Sequence, residues 1–433
     1  MTGSSVISQA PTGQADPATL ALVEEWSREP NPATFPYRQV RAAYLRVGKH
    51  HVPTDLLSAL AHARSACATW PAPAATDELL LLAFLDVALD KVDQLYDYPS
   101  YVGLSLLQPL GSQDDRGASR EHRDRWFCWL MSDLLDFERA VLAGEPRPLP
   151  SLRPTTEVVR KRVHLGLRAM RPALRRLGLD PVSGLTDDEL AERARNFLTA
   201  MQTDDIRLRV ELSMLPVYIA HDEYLFIRVL QMFEVTFEQM TVGLSAAITA
   251  IAAGDIEVAE SCLSSTAGVL AESAQLFSLL ATMQVKAFEI FRTFTEGASA
   301  IQSRGYKITE SLCRKPDPDR LDSAAYRSVP EVREAVLAGQ VTLDEVYRAQ
   351  CLTGGLSDCE LARLREACAQ FETQVLRWRR THYTLAVRVL GRERSGTGYT
   401  EGTPYLAAVR AIPVFCEVTA GGVPASRQGD SVV

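Results

Sequence analysis

The stretch FETQVLRWRRTHYTLAVRVLGRERSGTGYTEGTPYL, residues 371–406, decides the fold. Phe371, Val375, Trp378, His382, Leu385 and Val389 recur at alternating spacings of four and three. That period gathers side chains on one stripe of an α-helix. The stripe turns His382 toward the interior, with Arg377, Arg379, Arg380 and Arg388 on the polar side. A glycine at 391 and the run Gly396-Thr397-Gly398 mark the helix end and a loop.

An imidazole on an apolar stripe has two readings. One is a core histidine held by a hydrogen-bond partner. The other is an axial ligand to haem, because iron takes a neutral imidazole from one face, an apolar slot encloses the macrocycle, and cations meet the propionates. From periodicity alone the core histidine is the commoner case.

Outward from this stretch, segments of helical period alternate with Pro- or Gly-marked breaks, and no run of alternating β-branched residues appears. The fold class expected is all-α. Residues 1–35 read as a mostly disordered tail and 36–184 as an N-terminal helical unit closing near Gly178 and Pro181. Residues 185–410 read as a second helical unit, opened by Thr186 with Glu189 three positions on, a capping-box pattern. Residues 411–433, small and polar toward their end, read as a second tail. Lys315-Pro316-Asp317-Pro318-Asp319 reads as an internal loop.

Composition narrows the class. Of 433 residues, 46% are hydrophobic and 23% charged, and 46 basic against 54 acidic residues leave a net charge of -8. That balance argues against nucleic acid as a partner. The 8 cysteines show no CxxC pair and no zinc-like spacing, so reduced thiols in a cytoplasmic protein are expected. The N-terminus lacks the basic and apolar regions of a signal peptide. The run Leu79–Leu89, broken by Asp86, is shorter than the roughly 20 residues a bilayer crossing needs, so no membrane partner is expected.

Three further features carry alternatives. Tyr96, Tyr98 and Tyr101, close to Asp90 and Asp97, could line a substrate mouth or simply pack a helix turn. His122 and His164 could act as a second ligand or a base, but both lie among charges, as on a solvated helical face.

Three blocks carry a family resemblance. Trp378-Arg379-Arg380-Thr381-His382, Arg388-Val389-Leu390-Gly391, Gly396-Thr397-Gly398 and Tyr405-Leu406 resemble the C-terminal signature of tryptophan 2,3-dioxygenase. His221-Asp222-Glu223-Tyr224-Leu225-Phe226-Ile227, with Phe233, Glu234, Phe237 and Gln239, resembles that family's distal helix. Phe288-Glu289-Ile290-Phe291-Arg292, followed by Ser299 seven residues on, resembles its arginine helix and serine turn. The blocks lie in the family order between about Phe197 and Val409.

The resemblance implies an all-α bundle of that type with an added N-terminal unit. It implies haem b, bound noncovalently, with His382 as proximal iron ligand and Trp378 and Arg388 beside the cofactor. Ala386 stands where one superfamily branch attaches haem through cysteine. Arg292 would grip the substrate carboxylate, Ser299 and Thr397 would fix the amino-acid end, and Phe226, Leu230 and Phe233, with Phe237 and Met240, would wall the ring. Departures fall around the substrate. Leu230 occupies the family's distal-histidine position, Tyr399 and Glu401 alter the loop, and Ala300 and Ile301 replace a Gly-Phe pair.

The expected function is insertion of oxygen from O2, or peroxide, into the ring of an aromatic amino acid. Tryptophan or a modified tryptophan comes first, in specialised biosynthesis, by a homo-oligomer. Alternatives are ring hydroxylation of tyrosine or a methylated tyrosine, as in the superfamily's bacterial hydroxylases, and rearrangement of a chlorinated tryptophan, as in the pyrrolnitrin-pathway enzyme. A non-catalytic helical protein binding haem or an aromatic ligand is the alternative of another class.

Overall fold

Helix starts follow the capping chemistry written in the sequence. Thr186 and Glu189 close a reciprocal box, with Glu189 N donating to Thr186 Oγ1 at 3.3 Å and Thr186 N to Glu189 Oε2 at 2.7 Å. The pairs Thr342 with Glu345 and Ser357 with Glu360 repeat the arrangement. Each satisfies orphan N–H groups of a first turn. From Ser357 the helix Asp358–Leu390 runs 33 residues and stops at Gly391, whose φ of 93° lies in the region glycine adopts freely.

This computed structural model describes residues 16–68, 70, 76–107, 116–144, 148–180, 182, 184–393, 395 and 402–418, leaving out the side chains of 116–119. The described residues are all-α. Their one extended pairing is an isolated parallel bridge between Ser151 and Ala220.

The chain divides into two units. The first takes in described residues within 1–110, 128–232 and 279–299. Much of its core comes from the N-terminal helices Pro17–Trp26, Tyr37–Val47, Thr54–Cys67 and Thr76–Leu89, through Val23, Tyr44, Leu56, Leu60, Leu81 and Phe84. The second takes in described residues within 111–127, 233–278 and 300–433. There Ile256–Ser273 packs along Asp358–Leu390.

The helix His221–Ala253 contributes residues to both units. By length and hydropathy it meets the requirement for crossing a bilayer, but half of its apolar window is buried inside the protein. Its buried Arg228 donates to Asp133 at 2.7 Å, Ser213 at 2.9 Å and the Val210 carbonyl at 2.8 Å. A fully engaged guanidinium belongs to a protein interior.

Both expected tails are shorter than the sequence suggests. Residues 17–26 form a helix capped by Asp16, with Pro17 at its first position and Val23 and Trp26 buried. The Trp26 indole donates to the Asn31 carbonyl at 2.7 Å. At the other end Val414, Phe415 and Val418 are buried, and the Asp344 carboxylate accepts the backbone N–H groups of Cys416, Glu417 and Val418. A few large apolar anchors and one carboxylate order segments whose average composition is polar.

Candidate functional site

His382 lies in an aromatic cluster of the second unit. Its ring is near-parallel to Phe277, with centroids 6.1 Å apart at 26°, and tilts against Trp378 at 5.2 Å. Trp378 is the hub, meeting Phe233 at 5.7 Å, Phe237 at 5.5 Å and Phe277 at 5.6 Å while Tyr306 stacks on it at 5.2 Å. The Trp378 Nε1 is buried without a hydrogen-bond partner among the described residues.

The expected burial of His382 is only half met. The residue keeps part of its surface accessible, as do Leu385 and Val389 beyond it. Desolvation nonetheless lowers its pKa to about 4, because dense apolar neighbours penalise the imidazolium. Partial accessibility of the residue and dense packing around its ring coexist here. No hydrogen bond engages its ring among the described residues. A neutral, half-buried imidazole with aromatic walls fits a haem iron. No group of three or more His, Cys, Asp or Glu able to hold a metal occurs among the described residues, and haem iron needs only one protein nitrogen.

The ring of cations is smaller than the sequence suggests. Arg377, Arg380 and Arg388 are exposed, and Arg388 has no ion-pair partner among the described residues, leaving its charge available. Arg379 is instead buried. It pairs with Glu310 at 3.1 Å and donates to the Tyr306 hydroxyl at 2.7 Å and the Val409 carbonyl at 3.3 Å. Position 379 is four residues beyond Val375 and eight beyond Phe371, so it continues the buried stripe rather than the polar face.

Around Glu310 the second unit builds a charge cluster whose members are too far apart in sequence for spacing to reveal. Arg320 reaches both carboxylate oxygens, at 2.7 and 2.6 Å, and the Tyr326 hydroxyl donates at 2.9 Å. Burial pushes the Glu310 pKa up, but Arg320, Lys307 and Arg379 outweigh it and hold the carboxyl at about 2. Buried Lys307 donates to the Tyr405 hydroxyl at 2.5 Å. Tyr405 thereby fixes the chain just beyond the glycine loop. Buried Thr403 adds a staple across that loop, its hydroxyl donating to the Arg392 carbonyl at 2.9 Å.

The substrate-side residues Phe226, Leu230, Arg292 and Ser299 belong to the first unit. Phe226 meets Phe288 and Phe291, each at 5.4 Å, on the helix Val285–Thr293 that carries Arg292. Phe226 and Arg292 are thus brought to one locality. Arg292 and Ser299 are half-buried, and Leu230 is buried. Phe233, Phe237 and Met240 are buried on the same helix as Phe226, in its portion within the second unit. Ala300 and Ile301 form the short turn Ala300–Gln302. Thr397, with Gly396, Gly398, Tyr399 and Glu401, lies outside the described residues.

The other candidates are placed as follows. Tyr98 and Tyr101 are buried, and burial, followed by the nearby Glu223 charge, raises the pKa of the Tyr101 phenol. Tyr96 lies under the Lys91 ammonium, 4.6 Å from the ring centroid. His164 is exposed beside Asp187 at 3.1 Å, whereas His122 tilts against Trp126 at 6.2 Å and carries a lowered pKa from burial and Arg125.

No family model matches the chain. Individual proteins do. Tryptophan 2,3-dioxygenase of Bradyrhizobium diazoefficiens is 28% identical over 236 residues, covering 47% of this chain and 84% of that protein. The enzyme of the same name from Erythrobacter litoralis is 29% identical over 245 residues, 48% of this chain and 92% of its own length. That of Bradyrhizobium sp. strain ORS 278 is 27% identical over 269 residues, 53% of this chain and 95% of its own. The similarity therefore spans nearly whole relatives and about half of this chain.

Proposed function

The chain belongs to the tryptophan 2,3-dioxygenase-like superfamily of haem-dependent oxidoreductases, and from that premise we propose that it transfers oxygen from O2 to the ring of an aromatic amino acid, tryptophan or a modified tryptophan. The observation that carries this reading is His382: neutral, half-buried, without a hydrogen-bond partner among the described residues and walled by Trp378 and Phe277.

His382 is the residue to hold haem b, with Trp378 against the macrocycle and Arg388 supplying charge for a propionate. Bound there, haem would supply the redox-active iron for oxygen activation. The protein's own work is binding and exclusion. Arg292 presents a planar fork that stays charged at any working pH and grips both oxygens of a substrate carboxylate. Ser299 and Thr397 hold the amino-acid end. Phe226, Leu230 and Phe233 give the ring an apolar wall and keep water from the reacting carbon. With leucine at 230, that wall offers no proton acceptor of its own.

The reading extends to a noncovalent cofactor, a cytoplasmic homo-oligomer and a role in specialised biosynthesis. The test is the absorption spectrum of haem-reconstituted wild type and His382→Ala in the ferric, ferrous and ferrous-CO states, followed by oxygen uptake with tryptophan and tyrosine derivatives. A histidine-type spectrum lost in the variant, and a product carrying both oxygen atoms, are expected. Failure of the wild type to take up stoichiometric haem would overturn the proposal, and a product with one added oxygen atom would move it to hydroxylation.

A further inference from the structure

The helix Val285–Thr293 carries Arg292 near its end, and its start is tied to other parts of the first unit. The Gln284 backbone N–H donates to Asp222 Oδ2 at 2.6 Å, and its side-chain amide donates to the Leu152 carbonyl at 2.7 Å. Asp222 stands in the first turn of the helix His221–Ala253, and Phe226, one turn on, meets Phe288 and Phe291. Residues four apart share a helix face, so one face of that helix holds both the start and the body of the arginine helix.

Asp222 is itself held by Arg162, a fully buried residue of the helix Thr156–Arg176. The Arg162 guanidinium donates to Asp222 Oδ1 at 2.7 Å, Glu138 Oε1 at 2.8 Å, Thr282 Oγ1 at 3.0 Å and the Thr282 carbonyl at 3.2 Å. One rigid fork thus spans Asp222 and the turn that leads into Gln284. A strap over residues 149–152 closes the arrangement. The Ser151 N–H donates to the Ile219 carbonyl at 3.1 Å and the Ser151 carbonyl accepts the His221 N–H at 2.9 Å, while Leu149 and Leu152 hold left-handed φ of 59° and 55°. Leucine adopts that region only where surrounding contacts impose it, and such residues gather where geometry serves function.

Desolvation offsets most of the attraction within a buried ion pair, so what these directed bonds supply is orientation. They converge on the head of a helix of 9 residues, about 13 Å long, with Arg292 in its last turn. A tilt at the head displaces the guanidinium at the other end, and a fork that grips two oxygens at once loses one when misdirected. We propose that Arg162 and Asp222 are positioning residues that aim Arg292, and that through it they set the preference for an aromatic ligand bearing an α-carboxylate. The inference rests on the proposed role of Arg292 and adds the two residues that place it.

The test is calorimetric binding of tryptophan and tryptamine to the full haem-loaded chain, as wild type, Asp222→Asn, Arg292→Ala and the double variant. Asp222→Asn keeps the side chain's size, and it should weaken tryptophan about fivefold or more and tryptamine by less than about twofold. Added to Arg292→Ala it should bring no further loss, because the group it aims is gone. A merely structural role gives the same loss for both ligands in both backgrounds, and that result overturns the assignment while leaving the proposed function standing. Should Asp222→Asn fail to fold, Thr282→Val, which removes one Arg162 bond and no charge, decides the matter. A loss of about two- to threefold confined to tryptophan is then expected, and an unchanged ratio of the two affinities overturns the proposal. An Arg292→Ala chain that binds both ligands as wild type does overturns the role of Arg292 and the positioning role with it.

Discussion

Arg379, three residues before His382 on the same helix, forms a buried ion pair with Glu310 at 3.1 Å. The helix that would present the cofactor ligand is thereby fixed to the Arg304–Cys313 helix by charge as well as by packing. Removing one partner strands the other in a low-dielectric interior. Glu310→Gln should therefore cost about 3–5 kcal/mol of stability. Because Glu310 is held at about 2, its contribution is complete above the ordinary glutamate value and is lost as pH falls from about 4.5 toward 2. Denaturant unfolding at pH 7 and pH 3 checks both statements: wild type should lose stability between them, and the variant should lose less.

His382, lowered to about 4, has the opposite sense of charge and the same direction in pH. Its neutral form is favoured in the fold, so the stability tied to it is present above pH 6.5 and declines as pH falls toward 4. Haem ligation should persist down to about that pH, because protons compete for the imidazole only near its pKa. His382→Ala should abolish the histidine-type spectrum while changing stability of the haem-free protein by less than about 2 kcal/mol, since no hydrogen bond is lost among the described residues. Spectra and thermal melts recorded side by side separate the two effects.

Arg292 is half-buried at the last turn of its helix, with the Thr295 hydroxyl donating to its carbonyl at 2.9 Å. Arg292→Ala should raise KM for the amino acid about 10- to 100-fold. Arg292→Lys should recover only part of this, because an ammonium cannot make two parallel bonds. Binding of tryptamine, which lacks the carboxylate, should be indifferent to both substitutions. Equal loss for tryptamine and tryptophan would sink the assigned role.

Thr403→Val keeps the shape and removes the donor to the Arg392 carbonyl. The staple across residues 392–403 should weaken by about 1 kcal/mol. If Thr397 holds the substrate's amino-acid end, KM should rise by several-fold, with Thr403→Ser restoring it. A KM unchanged in Thr403→Val would separate this loop from substrate binding.

Local patterns in the sequence carried much of this. The four-and-three spacing through Phe371, Val375, Trp378 and His382 marked the helix, and Thr186 with Glu189 marked a helix start, because hydrophobic periodicity and capping act within a few residues. Spacing puts Arg379 among the cations of the polar side, yet a stripe about 100° wide takes in position 379 as well as 378, and a partner such as Glu310 decides which side chain turns inward. Nothing near Arg162 in the chain pointed to Thr282, 120 residues away.

The sequence by itself therefore determined the helical class, the helix bearing His382 and the blocks of Phe226, Arg292 and Ser299, because these depend on short-range spacing and on residue chemistry. Only the tertiary structure decided the neutral, half-buried state of His382, the burial of Arg379 against Glu310 and the folding of residues 17–26. Desolvation and ion pairing are properties of neighbours distant in the chain, and a linear pattern holds no record of which neighbours arrive.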